Sequence, residues 1–156
     1  MGQLKKYDPR QVIATWHGIE LTSGIIKGTF ISVSRTDPSS GINKGGDGGS
    51  TMIIRHDYSG TAEITLRAGS DTNERISNVL AQDEADPDQK VVDTFEMKDF
   101  NGTTLCIDPE AYLMGPPAVS YGVEEENRAW TLILPNVKIF AGSSNKALSI
   151  ASVGNV

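Results

Sequence analysis

Alternation of apolar and polar residues with a period of two runs through most of this chain. In Thr61–Arg67, Ala62, Ile64 and Leu66 fall on one side, and Thr61, Glu63, Thr65 and Arg67 on the other. Successive strand side chains point to opposite faces, so this spacing predicts a strand with one dry face and one wet face. Trp130, Leu132 and Leu134 alternate with Thr131 and Ile133. Val91, Phe95 and Met97 share a side of Val91–Lys98, and Val12, Ala14 and Trp16 make a third such set. Thr29–Arg35 and Thr51–His56 are rich in β-branched residues and read as strands with apolar residues on both faces. Strands of that kind need a second cover, from another sheet, a helix or a neighbouring chain.

A helical period interrupts this pattern only within Ser70–Ala85. Ile76, Val79 and Leu80 give a narrow apolar stripe, which suits a helix lying on a sheet rather than inside a bundle. Asp71 followed by Glu74 makes a start resembling a capping box, with Ser70 as the competing cap, and Asp86-Pro87 stops the helix. Four of the seven prolines sit in Asp-Pro pairs, at Asp8, Asp37, Asp86 and Asp108. Asp favours turn starts and Pro presets the next φ, so these pairs are expected to punctuate the chain between elements, with Pro116-Pro117 as a further stop. The fold class that follows is mainly β: an antiparallel β-sandwich or barrel of about seven to nine strands with one flanking helix, as a single domain over 1–156. The longest irregular piece, Thr36–Ser50, holds Gly41, Gly45, Gly46, Gly48 and Gly49 and joins two strand-like segments. It reads as a long hairpin arm. With Ile42 as its one apolar residue it has little to bury against its own domain, and a partner is the natural agent to order it.

Composition narrows the function classes. A chain of 156 residues is large enough to bury about 68–70% of its unfolded surface. Fourteen basic against twenty acidic side chains leave a formal charge of −6, which argues against a general phosphate binder. No run approaches the ~20 apolar residues of a membrane helix. The segment beginning Met1-Gly-Gln-Leu-Lys-Lys has no apolar run behind its lysines, so no secretory signal is expected. Cys106, the single cysteine, has no partner for an internal disulfide, which fits a reducing compartment or indifference to redox.

Candidate chemistry is sparse. Gly45-Gly-Asp-Gly-Gly-Ser-Thr51 lacks the Gly-Lys-Ser/Thr ending of a phosphate-cradling loop, and a strand follows it where such a loop needs a helix. Counting from Asp37, the twelfth position that a calcium loop fills with Glu is Gly48. His17 and His56, the only histidines, read as strand-end residues, and neither sits in a triad or His-x-x-x-His pattern. The acidic runs Asp83–Asp88 and Glu124–Glu126 read as solvated surface. Cys106 lies in apolar Leu105-Cys-Ile107, and Trp16 and Trp130 on the apolar sides of strands, so all three read as core. Asn101-Gly-Thr103 matches a glycosylation sequon that no secretory signal supports. The residues therefore predict a binding or assembly module, with no catalytic group, metal or cofactor.

Several segments resemble the tail tube proteins of contractile-tailed bacteriophages. They are Lys6-Tyr-Asp-Pro-Arg-Gln-Val12, Gly28-Thr-Phe-Ile-Ser-Val33, Asp57-Tyr-Ser-Gly-Thr61 leading into Ile64-Thr-Leu66, and the Asn73–Leu80 helix, with a weaker likeness at Ala129-Trp-Thr-Leu132. The arm departs from the family pattern, carrying Ile42 and Gly49 where an aromatic and an acidic residue are expected. The resemblance implies a subunit of homohexameric rings that stack into a hollow conduit inside a contractile sheath. Its partners would be itself, the sheath, tape-measure, baseplate and tail-terminator proteins, and DNA in non-specific transit; its place would be the virion tail, assembled in the host cytoplasm. It assigns the arm, with Asp37, Ile42, Asn43, Lys44 and Asp47, to contacts between subunits or rings. Channel-lining candidates are Glu63, Thr65, Arg67, Glu96 and Lys98, with Glu124–Glu126 as the alternative lining and an outward, sheath-facing position as the competing one. Six copies at −6 each place a formal charge of about −36 on a ring, and a negative wall repels a phosphate backbone. A tube subunit of a contractile bacteriocin or secretion system and a β-sandwich binding module of a virion or cell surface remain open alternatives, as does an enzyme.

Overall fold

A computed structural model describes residues 4–86, 88, 90–144 and 146–147. In chain order the strands are β1 (Lys5–Lys6), β2 (Val12–Trp16), β3 (Ile19–Glu20), β4 (Ile31–Arg35), β5 (Ser40–Lys44), β6 (Ser50–Ile54) and β7 (Gly60–Arg67); after helix α1 (Asp71–Ala85) come β8 (Asp93–Asp99), β9 (Leu105–Leu113), β10 (Asn127–Leu134), β11 (Lys138–Phe140) and β12 (Lys146–Ala147). The fold class is as expected, a mainly β sandwich of antiparallel strands with one helix on its flank. Twelve strands among the described residues exceed the expected number, because β1, β3 and β12 have only two residues each, too few to carry a period.

The body is one antiparallel sheet in the order β3-β2-β8-β9-β10-β7-β4, with β11 added to β9. Strand β9 joins the two layers. It pairs with β8 from Leu105 to Ala111 and with β11 at Leu105–Ile107, and its end, at Tyr112 and Leu113, pairs with β10. The inner residues of both layers meet in one core: Ala14, Trp16, Phe95, Ala111 and Leu113 from one side, and Ala62, Ile64, Leu66, Trp130, Leu132 and Leu134 from the other. Both tryptophans are core, as expected, and each brings a polar N–H that burial obliges it to satisfy. Trp16 Nε1 donates to the Ala111 carbonyl at 2.9 Å. Trp130 Nε1 donates to Asn73 Oδ1 at 2.9 Å, tying the sheet to the helix.

Helix α1 buries the expected Ile76, Val79 and Leu80. The cap is Ser70, not Asp71: Ser70 is extended, at φ −73° and ψ 131°, and its Oγ accepts from Thr72 N, while Asp71 is already the first helical residue. The helix stops at Asp86 as expected, and Pro87 lies outside the described residues.

Asp108-Pro109 does not separate elements; it lies within β9. Between Asp93↔Ala111 and Phe95↔Asp108 the register shifts, leaving an extra residue on β9. Proline has no N–H to offer a ladder and is tolerated at such a bulge. Asp108 is fully buried there and accepts from the backbone N–H of Glu110 at 2.8 Å and of Asn136 at 2.7 Å. At the β2–β3 turn His17 and Gly18 take φ 52° and 74°, the left-handed pair that a two-residue hairpin requires.

Candidate assembly interface

Thr51–His56 does not join the body sheet. Among the described residues, strand β6 pairs with β5 alone, in register Ser40↔Ile54, Ile42↔Met52 and Lys44↔Ser50. The stretch expected to be irregular from Thr36 to Ser50 is therefore largely a hydrogen-bonded ribbon, and the arm extends through Ile54. Its tip closes on itself: Gly45 N donates to Gly49 O at 2.8 Å, Gly48 N to Gly45 O at 3.1 Å, and Gly49 N to Asp47 Oδ1 at 2.9 Å. Gly48 sits at φ 87°, a conformation that only glycine adopts freely. The glycines thus make a turn.

The base of the arm is fastened to the body. Arg35 donates from Nε and Nη2 to the Val137 carbonyl at 3.3 and 3.0 Å and from Nη1 to Ser39 Oγ at 3.2 Å, and its guanidinium stacks on Tyr58 at 4.8 Å. Thr36 N donates to Ser59 O at 3.0 Å, and Arg55 N to Ser39 O at 2.8 Å. A Cβ on Gly41 would stand 2.8 Å from Arg55 Nη1, so that guanidinium lies against bare backbone.

Cross-strand partners share a face, so Ser40, Ile42 and Lys44 line up with Ser50, Met52 and Ile54. This face is uncovered: Ile42, Met52 and Ile54 are 64%, 70% and 60% exposed. Of the five arm residues the resemblance singles out, Ile42 and Lys44 lie on this face, Asn43 lies on the other, Asp47 caps the tip, and Asp37 is exposed at the base. Sequence reasoning missed Met52 and Ile54 as arm residues. The available signal was the apolar run Met52-Ile53-Ile54, which lacks the alternation of a strand with one wet face.

The five channel candidates do not come together. Glu63, Thr65 and Arg67 lie on the outward face of β7, between the hydroxyls of β4 and β10: Glu63 stands opposite Ser32 on one side and Thr131 on the other. Arg67 Nη2 donates to Glu125 Oε2 at 3.3 Å, and Gly69 N donates to Glu125 Oε1 at 2.8 Å. The Gly69 N–H first, and then Arg67, hold the Glu125 carboxyl below its ordinary value of 4.5. Glu96 and Lys98 lie on β8 in the other layer, opposite Ile107 and Leu105, with Lys98 Nζ 5.0 Å from the Phe100 ring centroid. One outward face is hydroxyl-rich, and the other mixes charge with half-buried aliphatic residues.

The remaining candidates are accounted for structurally. Cys106 is buried, and burial pushes its thiol up from the ordinary 9.0. His17 Nδ1 lies 2.9 Å from Asp93 Oδ2 in an exposed pair. Asn101 is buried, exchanging hydrogen bonds with the Asp8 backbone at 3.0 and 2.8 Å, so the sequon is closed to modification in the folded chain. A cleft of about 340 Å³ opens between Tyr7, Phe30, Ile31, Met97 and Asp99. Asp99 is already engaged there, accepting from Asn101 N and Ser144 Oγ. Among the described residues no three His, Cys, Asp or Glu side chains gather as metal ligands, and no helix is long and apolar enough to cross a membrane.

No protein-family model and no curated protein matches this chain. Solved structures do match its fold. The tube-terminating cap of the anti-feeding prophage (AFP) shares 12% identity at TM-score 0.51, over 90% of this chain and 95% of that one. The sheath/tube terminator of the PVC extracellular contractile injection system, in its extended state, shares 14% identity at TM-score 0.50, over 84% and 94%. A chain of the extended PVC sheath–tube complex shares 15% identity at TM-score 0.49, over 87% and 92%. The structural neighbours are thus components of contractile tail-like particles.

Proposed function

We propose that this chain is a structural, non-catalytic subunit of a contractile tail or tail-like injection particle, and that it forms the tube. Copies pack into rings, rings stack, and the hollow conduit lies inside the sheath. The observation that carries this reading is the arm face, whose Ile42, Met52 and Ile54 are left exposed, with no cover among the described residues. A soluble monomer rarely leaves so much contiguous apolar surface without a binding purpose. The fold shared with two terminators of contractile systems agrees with it.

In this reading the hydroxyl-rich face of Ser32, Glu63, Thr65 and Thr131 lines the lumen. Hydroxyls hold water, Glu63 repels phosphate, and Arg67 on the same face is paired with Glu125, so DNA passes without adhering. The β8 face with Glu96 and Lys98 turns toward protein, because Leu105 and Ile107 beside it gain from cover.

A second reading follows from the neighbours themselves: a terminator that closes one ring at the end of a tube and does not propagate. Negative-stain electron microscopy of the purified protein at high concentration, with light scattering on the eluting peak, separates the two. Open-ended tubes establish the tube subunit, single rings the terminator. A protein that stays monomeric with its arm uncovered overturns both in favour of a discrete binding module.

A further inference from the structure

We propose that the arm's apolar face seats on the 114–126 connection of a second copy of this chain. The inference rests on the reading that copies associate and names the surface on which they do so.

The β9–β10 connection is another exposed apolar region among the described residues. Met114, Val119, Tyr121 and Val123 are all exposed, Tyr121 by 85%. The segment is nevertheless held in place. Met114 N donates to Thr131 O at 3.0 Å, the Arg128 guanidinium lies 5.3 Å from the Tyr121 ring centroid, and Glu125 receives Gly69 N–H and Arg67. A fastened loop that presents Met and Tyr outward has the composition and the low ordering cost of an interface.

Charge selects the occupant. On the arm's apolar face the one charged residue is Lys44; on the connection the charged residues are Glu124, Glu125 and Glu126. Among the described residues Lys44, Glu124 and Glu126 enter no ion pair. Arm against arm, or connection against connection, places like charges in one interface, whereas arm against connection pairs them. A contact between two different patches of one chain is heterologous. It leaves a free patch at each end of every pair, and so either closes a ring or grows a filament.

The test is disulfide trapping between two chains, one carrying Ile42→Cys and the other Val123→Cys, mixed at assembly concentration and oxidised. Native Cys106 is buried and out of reach. The expected heterodimer yield is about tenfold above that of Ile42→Cys mixed with Ser77→Cys, a site on the exposed side of α1. Charge reversal supplies an independent readout. Lys44→Glu alone and Glu124→Lys with Glu126→Lys each weaken self-association by about tenfold, and the three together restore it. Wild-type assembly with trapping no better than the Ser77 control, or with no rescue in the triple variant, overturns this pairing alone; the arm then belongs to another face or to a different protein. Wild-type protein that never associates overturns both this pairing and the assembly function.

Discussion

Strands β6 and β7 follow each other in the chain, and both are rich in aliphatic and threonine residues, yet they meet opposite fates. In β7, Ala62, Ile64 and Leu66 are at most 1% exposed, sealed between the sheet layers and α1. In β6, Met52 and Ile54 are mostly exposed, and the strand's one partner among the described residues is β5. The body is stabilised by burial of apolar area within the chain. The arm is a two-stranded ribbon, marginal by itself, fastened at its base by Arg35 and closed at its tip by Asp47. Strand propensity alone therefore does not decide which strands build a core. The body folds for itself; the arm is shaped by its own chain and left for another to bury.

That contrast can be broken or sharpened by substitution, with the largest effects on folding in the core. Trp16→Ala removes a fully buried ring and its hydrogen bond to Ala111, and should cost about 3–5 kcal/mol, lowering the melting temperature by about 10 °C in calorimetry. Asn73→Ala orphans the buried Trp130 N–H and also loses the bond from Asn73 Nδ2 to the Arg67 carbonyl at 2.8 Å. The expected loss is about 1–3 kcal/mol by denaturant titration. Ser70→Ala strips the α1 cap and should cost about 1 kcal/mol in the same titration.

A smaller effect is expected from pH. The hydrogen bond with His17, and then the Thr94 N–H, hold the Asp93 carboxyl below its ordinary 3.8. A depressed carboxylate pKa contributes stability that is complete above the unfolded value and is lost as pH falls through the folded one. Melting curves of wild type and Asp93→Asn should therefore differ above pH 3.8 and converge below it. Convergence at higher pH would show the pair to be unformed. Met52→Asp is expected to change folding least, within about 0.5 kcal/mol, while abolishing assembly in electron micrographs. A Met52→Asp protein that loses stability as Trp16→Ala does would erase the contrast between arm and body.

Much of the body was legible in the sequence. Period two marked β2, β7, β8 and β10, and the i, i+3, i+4 stripe marked the buried side of α1, because both depend on local geometry that each residue carries with it. Strand β9 escaped, since Asp108-Pro109 at its bulge imitates a boundary, and Thr51–His56 reads as a strand in need of a second cover without any local sign that the arm extends through it. Of the proposed interface, Ile42 and Lys44 were visible as arm residues, Met52 and Ile54 showed only as an apolar run without alternation, and the connection Met114–Val123 carried no local mark of exposure.

What the sequence determined by itself is the set of strands with a wet and a dry side, the helix between Ser70 and Asp86, the existence of an arm, and the acidic balance of −6. What only the tertiary structure decided is which strands pair, that β9 carries the chain between layers, that Glu63 and Glu96 face away on different layers, and that the arm's apolar face finds no cover among the described residues. The reason is physical. A period is written in neighbouring residues, whereas pairing and burial are agreements between residues far apart in the chain, settled only when the whole core closes.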